Sequence, residues 1–141
     1  MSQVRRIFVE KKPGFDIESQ MLLHEITEFL EIKSLENLRI IHRYDIEGIT
    51  ESEYQQSRET IFAEPPVDQV YDEEFEIPEA NRYIALEYHP GQYDQRADSA
   101  AQCVQILTHN EKPEIRCAQI ILLEGNITDT EYEQIKDYCI N

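Results

Sequence analysis

The stretch EKKPG at residues 10–14 returns as EYHPG at residues 87–91, and this repetition decides how the rest of the chain is interpreted. When position 5 is aligned with position 82, nine identities fall between positions 5 and 48 without a gap. After one inserted residue, ITESEY at 49–54 aligns with ITDTEY at 127–132. Because the period exceeds the roughly 20–50 residues of solenoid repeats, the pattern indicates a duplicated small domain.

Each copy has the pattern of two strands that alternate with two helices. The first strand spans about 4–11 and recurs at about 83–89, where the Pro-Gly corner ends it, because Pro fixes φ and Gly permits a reversal. The second strand alternates apolar and polar residues at 38–46 but is apolar on both faces at 118–124, so we expect the latter to be the more central of the two. Residues 67–75 are expected to supply a further strand.

The helices have recognisable start signals. Asp16 and Asp94 occupy the position of an N-cap acceptor for the first helix of each copy. Thr50 and Thr128 each precede a Glu by three residues, which is the capping-box pattern for the second helix.

We therefore predict an α+β fold in which two fused ferredoxin-like β-α-β-α(-β) repeats pack as a pseudo-dimer with antiparallel sheets. The first repeat, with an acidic connector, occupies 1–80 and the second occupies 81–141. The second copy ends before any counterpart of the 67–75 strand, so the sequence resembles the first part of a longer chain. A missing last strand would leave an open sheet edge, which favours pairing and makes a homodimer possible.

Composition and charge limit the classes of function. Acidic residues outnumber basic ones 29 to 13, a net charge of −16, which argues against a nucleic-acid partner. No run approaches the roughly 20 apolar residues of a membrane helix, and the N-terminus has no signal-peptide pattern. Between Glu64 and Asn81 there are seven acidic residues and no Lys or Arg, which is typical of a solvated connector.

Three cysteines, Cys103, Cys117 and Cys139, are widely spaced in apolar patterns. They form no C-x-x-C pair and no disulfide framework, so we interpret them as buried small hydrophobic residues in a reducing, cytoplasmic environment.

Motifs for catalysis are absent from the sequence. The four histidines have no H-x-x-x-H or H-E-x-x-H spacing, so no metal site is predicted. Neither Pro-Gly corner has the glycine spacing of a phosphate-binding loop, and Ser99 lacks a G-x-S-x-G context. The chain therefore indicates a binding or assembly module with no catalytic residue of its own.

One polar patch exceeds what a strand-to-helix corner requires, and the first copy has an ordinary amphipathic helix in its place. We predict that this patch contacts another domain; its residues are Gln92, Tyr93, Asp94, Gln95, Arg96, Asp98 and Ser99.

Four stretches carry a resemblance to a known family: RRIFVEKKPGFD, LENLRIIHRYDIEGI, TIFAEPPVDQVYDEEF and, as the most specific, PGQYDQRADSAAQC. Together they resemble the N-terminal region of the long, single-chain form of phosphoribosylformylglycinamidine synthase, a ligase of purine biosynthesis. The resemblance extends over nearly all of residues 4–141.

The resemblance implies a role within a larger amidoligase. Such an enzyme uses ATP, Mg²⁺ and glutamine to convert a formylglycinamide ribonucleotide to its amidine, with the glutaminase cysteine and the ATP site in later domains. Its N-terminal domain is similar to two fused copies of a small dimeric subunit that joins the glutaminase and synthetase domains and assists ammonia transfer. The expected partners are therefore those two domains, and the segment alone is expected to bind no cofactor and to be inert.

An alternative from a different class stays open. The repeated Pro-Gly corners are also consistent with a ferredoxin-like regulatory module that binds a small molecule between its two copies.

Overall fold

The computed structural model of the protein describes residues 4–79, 81–89 and 91–140. Within them, the elements follow one another as β1 (Val4–Lys11), α1 (Ile17–Phe29), β2 (Leu35–Glu47), α2 (Glu51–Ser57), β3 (Asp68–Asp72), β4 (Arg82–Glu87), α3 (Gln95–Thr108), β5 (Glu114–Gly125) and α4 (Asp129–Ile140). A π-helical turn, Arg58–Phe62, directly continues α2.

All five strands form a single antiparallel sheet with the order β3-β1-β2-β5-β4. The α+β class and the antiparallel pairing are therefore confirmed, but one continuous sheet joins the two halves of the chain. β5 lies inside the sheet, with its apolar residues from 120 to 123 buried on both faces, but the middle strand is β2, so the expectation that the 118–124 strand is the more central of the two is wrong. The further strand expected within 67–75 is β3, which pairs with β1.

The two outer strand pairs share one register. Arg5 of β1 lies opposite Ile46 of β2. Arg82 of β4 lies opposite Leu123 of β5, and these are the two residues with which Arg5 and Ile46 align in the sequence repeat. Between these pairs, β2 and β5 run antiparallel, and His42 lies opposite Gln119, the residue with which it aligns.

Helices cover one face of the sheet in two groups, each with its own apolar core. The first core combines α2 and α3 with β1 and with the parts of β2 and β5 around Tyr44 and Cys117. The second combines α1 and α4 with β4 and with the parts of β2 and β5 around Leu38 and Leu123. Each core thus takes one helix from either half of the chain, which ties the halves together.

The opposite face of the sheet carries a smaller apolar cluster, built on Phe8, Ile41, Ile120 and Leu122. Phe75 and Ile77, from the acidic segment after β3, pack against this cluster. The Phe75 ring lies 5.8 Å from that of Phe8, measured between centroids. The segment that the sequence indicated as a solvated connector therefore includes a strand and two side chains that cover the sheet.

Local start signals agree with the sequence at three of four helices. Thr50 and Thr128 form their capping boxes, in which the hydroxyl accepts from the backbone N–H of Glu53 and of Glu131. Asp94 caps α3, but the side chain of Asp16 makes no cap bond to α1.

Gly14 and Gly91 end the two corners with φ values of 92° and 89°, as the Pro-Gly prediction requires. Pro90 itself lies outside the described residues. No helix within the described ranges is long and apolar enough to cross a bilayer.

Candidate functional site

A central cleft of about 610 Å³ opens on the helical face of the sheet. It lies where the middle of β2 and β5 meets the starts of α1 and α3, the corner after β4 and the end of α4. Its polar lining comes from Glu18, His42, Glu87, Tyr88, His89, Gln92, Asp94, Arg96 and Gln119.

His42 and Gln119 form the floor of the central cleft as direct cross-strand partners. Gln119 donates from Nε2 to Glu18 Oε1 at 3.2 Å, and His42 Nε2 lies 3.9 Å from Glu18 Oε2. Burial and the nearby Arg96 guanidinium lower the pKa of His42, so its imidazole is neutral at physiological pH. The floor therefore offers neutral hydrogen-bonding groups beside one carboxylate.

Arg96 supplies the positive charge of the central cleft. Its Nη1 donates to Tyr44 Oη at 3.3 Å, which directs the guanidinium toward the sheet. Burial raises the pKa of Tyr44, so the phenol remains neutral. Together, Arg96 and the floor can bind a small ligand that carries an anionic group and hydrogen-bonding groups.

Two of the predicted contact residues hold the corner itself together. Asp94 Oδ1 accepts from the backbone N–H of Ala97, and its Oδ2 accepts from the backbone N–H of Cys117, each at 3.1 Å. Gln92 Oε1 accepts from the backbone N–H of His89 at 2.7 Å. These polar groups explain part of the patch as architecture that fastens α3 to β5.

A second local network involves Tyr93 and Asp98. The Tyr93 hydroxyl donates to Asp98 Oδ2 at 3.0 Å, and Asp98 also accepts from Gln102 and Lys112. Tyr93 is nevertheless 70% exposed, so its ring is available to a partner.

Gln95 and Ser99 are the patch residues that face solvent with no side-chain hydrogen bond to any residue in the ranges 4–79, 81–89 and 91–140. The predicted patch thus divides into three parts. Gln92, Asp94 and Asp98 stabilise the fold, Arg96 enters the central cleft, and Tyr93, Gln95 and Ser99 form an outward surface.

The cysteines do not supply a reactive thiolate to the central cleft. Burial raises the pKa of Cys117 to about 12 and that of Cys139 to about 11, so both remain protonated thiols. The expectation that all three cysteines are buried is wrong for Cys103, which is exposed on α3 and does not line the cleft. Among the described residues, no group of three or more His, Cys, Asp or Glu side chains is arranged to hold a metal ion.

His42 and Gln119 were missed as site residues because their strand patterns assign them only to a face of the sheet. The internal sequence alignment carried a signal for them, since it sets position 42 against position 119, the two residues that face each other on β2 and β5.

No family model, no curated protein and no solved structure matches the chain.

Proposed function

We propose that this chain is a non-catalytic assembly and ammonia-coupling domain of phosphoribosylformylglycinamidine synthase, placed between its glutaminase and synthetase domains. The observation that carries the proposal is the shared register of β1·β2 and β4·β5, in which aligned residues of the two halves occupy equivalent positions. Two fused copies of a dimeric subunit are expected to repeat their strand register in this way.

Further features support a duplicated origin. Positive φ values recur at Gly48 and Gly125, which align with each other in the sequence repeat. α2 and its π-helical turn span residues 51–62, and α4 spans residues 129–140, so the second helical segment has the same length in both halves. On this basis the repeats are 1–80 and 81–141.

A coupling role assigns the outward surface of the corner to a partner domain. Tyr93, Gln95 and Ser99 are exposed on rigid backbone, because Asp94 fixes the start of α3 to β5. A rigid, polar surface of this kind suits an interdomain contact that must keep two active sites aligned.

We expect Ser99→Trp in the full-length synthase to reduce glutamine-dependent turnover about tenfold, while ammonia-dependent turnover changes less than about twofold. The bulky ring would displace the partner domain, and displacements of about 1 Å cost up to 100-fold in coupled chemistry. Steady-state assays with glutamine and with ammonium salts measure the two rates. Gln105→Trp, on another exposed face of α3, is the matched control and is expected to leave both rates unchanged. Equal losses with both nitrogen donors would contradict the coupling role.

A second candidate function is a regulatory module that binds a small molecule between the two halves. The central cleft favours it, because His42 and Gln119 of opposite halves meet on the cleft floor beneath Arg96.

If the second candidate is right, calorimetry of the chain with purine nucleotides and amino acids will detect binding of one of these compounds. Arg96→Ala is then expected to weaken that binding about tenfold, because the substitution removes a charge-assisted hydrogen bond. Gln105→Ala serves as the control, since its side chain lies outside the cleft. Absence of heat with every compound would remove this candidate.

A further inference from the structure

We propose that the groove between β4 and α4 is a docking site for an extended strand of a partner domain, and that this strand carries two consecutive acidic residues. β4 forms one end of the sheet, so one edge of its backbone pairs with no described strand. A groove of about 430 Å³ lies along β4 and α4, and its lining includes Arg82, Tyr132 and Lys136. This inference is independent of the amidoligase proposal, because it concerns a binding reaction of the chain itself.

The other half of the molecule shows how a strand is held at the equivalent edge. There, β3 pairs with β1 and ends in Asp72, followed by Glu73. Arg58 donates from Nε and Nη2 to the two Asp72 oxygens at 2.8 and 2.6 Å, and the Tyr54 hydroxyl donates to Asp72 Oδ1 at 2.5 Å. Arg5 Nε donates to Glu73 Oε1 at 2.7 Å. Three side chains thus hold one acidic pair.

Two of these three positions are repeated at β4 with the same residue types. In the sequence repeat, Arg82 aligns with Arg5, and Tyr132 aligns with Tyr54 once the inserted residue is allowed for. The guanidinium of Arg5 lies 3.9 Å from the Tyr54 ring centroid, and that of Arg82 lies 5.3 Å from the Tyr132 ring centroid. Arg82 is also held by Asp129 at 2.6 Å, as Arg5 is held by Glu51.

The third position is also positively charged, with a lysine where the first half of the chain has Arg58. Lys136 aligns with Arg58 in the same register as Tyr132 with Tyr54, is half-buried, and lines the groove. Unlike Arg58, it forms no salt bridge within the described part of the chain. A half-buried lysine without a carboxylate beside an open strand edge is the group that an incoming acidic side chain would neutralise.

A backbone carbonyl at the open edge of β4 is placed to accept a hydrogen bond from an incoming strand. In the occupied half, the carbonyl of Arg6 accepts from the backbone N–H of Glu73 at 2.8 Å. At the counterpart position, the carbonyl of Tyr83 instead accepts from the Tyr132 hydroxyl at 2.8 Å. An incoming strand N–H can replace that hydroxyl, and the freed hydroxyl can then donate to the acidic side chain, as Tyr54 does.

The pairing register of β3 with β1 predicts which residue types the docking strand carries at each position along β4. Asp72 lies opposite Ile7 and Val70 lies opposite Val9, which correspond to Ile84 and Leu86 on β4. The partner strand therefore runs antiparallel to β4, with an acidic residue opposite Ile84, a second acidic residue after it, and an apolar residue opposite Leu86.

The positive charges at the edge of β4 favour a strand of a partner domain over a second copy of this chain. A symmetric pairing of two β4 edges would bring together Arg82 and Lys136 of both copies without a free carboxylate to meet them. Glu87, the acidic residue of β4, is already paired with Arg43 at 2.6 Å. The acidic pair of β3 in a second copy is likewise already bound by its own Arg5 and Arg58.

The test uses the intact chain and a labelled peptide with the sequence PPVDQVYDEEF, residues 65–75, as the probe. Fluorescence anisotropy is expected to show saturable binding that Lys136→Glu weakens about tenfold or more, because a charge-assisted contact becomes repulsive. A peptide with D72N and E73Q is expected to lose affinity to a similar degree. Lys33→Glu makes the same charge change outside the groove and is expected to leave the affinity unchanged.

Tyr132→Phe gives a second, conservative variant, for which we expect about a fivefold loss because one hydrogen bond is removed. Far-UV circular dichroism checks that each variant is folded. Absence of binding, or binding that is insensitive to Lys136→Glu and to the peptide changes, would overturn the proposal. Sedimentation that shows a dimer, dissociated by Lys136→Glu, would assign the edge to a second copy and would overturn the partner-domain assignment.

Discussion

Replacing Gly125 by alanine is expected to lower the free energy of unfolding by about 3 kcal/mol or more. Gly125 ends β5 with φ at 138°, a conformation that an L side chain rarely adopts. A Cβ atom there would lie 2.2 Å from the Ser34 carbonyl oxygen and 2.9 Å from the backbone N of Glu36. Because these backbone atoms lie just before and just inside the start of β2, relief of the clash requires a shift in the strand at the centre of the sheet.

Gly48→Ala is the matched control for this prediction. Gly48 aligns with Gly125 in the repeat and also has a positive φ, 85°, but a Cβ atom there would meet only Pro113 Cα, at 3.9 Å. We expect a cost of about 1–2 kcal/mol, from the backbone conformation alone. Urea denaturation followed by circular dichroism or tyrosine fluorescence measures both variants. Equal losses of unfolding free energy in the two variants would show that the short Cβ distances at Gly125 do not add to the effect of its substitution.

The comparison of these two glycines shows how far the sequence determines the fold. Their alignment with each other was readable from the sequence, and so were the strands and the capping boxes at Thr50 and Thr128. The close approach to Ser34 was not, because it depends on the irregular pairing of β2 with β5 between Leu35 and Asn37. The sequence marks this shift only by the three-residue spacing of the buried Leu35 and Leu38, which breaks the alternation of the strand and does not reveal which backbone atoms approach Gly125.

The candidate site was predictable only in part for a similar reason. The sequence drew attention to the corner from Gln92 to Ser99, where polar residues are dense. It did not identify His42 and Gln119, because their cross-strand pairing depends on which strands become neighbours. The structure was also needed to see that Arg82, Tyr132 and Lys136 occupy positions equivalent to the three side chains that bind the end of β3. Those side chains contact Asp72 and Glu73 through the tertiary fold, which the sequence alone does not show.

Asp94→Ala is expected to lower the free energy of unfolding by about 2–4 kcal/mol, although Asp94 lies on the surface side of a corner. The substitution removes an N-cap bond, which contributes about 0.5–2 kcal/mol. It also leaves the backbone N–H of Cys117 without its acceptor in a buried position, at a cost of about 1–3 kcal/mol. The start of α3 would then separate from β5, and the central cleft between them would lose one wall.

Asp16→Ala is the control, because Asp16 precedes α1 as Asp94 precedes α3. Among the described residues, its side chain accepts only from Gly14 N–H and Gln20 Nε2, at an exposed corner. We expect this variant to lower the free energy of unfolding by less than about 1 kcal/mol.

Asp94→Asn separates the two hydrogen bonds of Asp94, since the amide keeps one acceptor oxygen and loses the other. Its unfolding free energy is expected to fall between those of the wild type and Asp94→Ala. Hydrogen exchange at the Cys117 amide measures the lost bond directly, and unchanged protection there would refute the assignment of Asp94 as the link between helix and sheet.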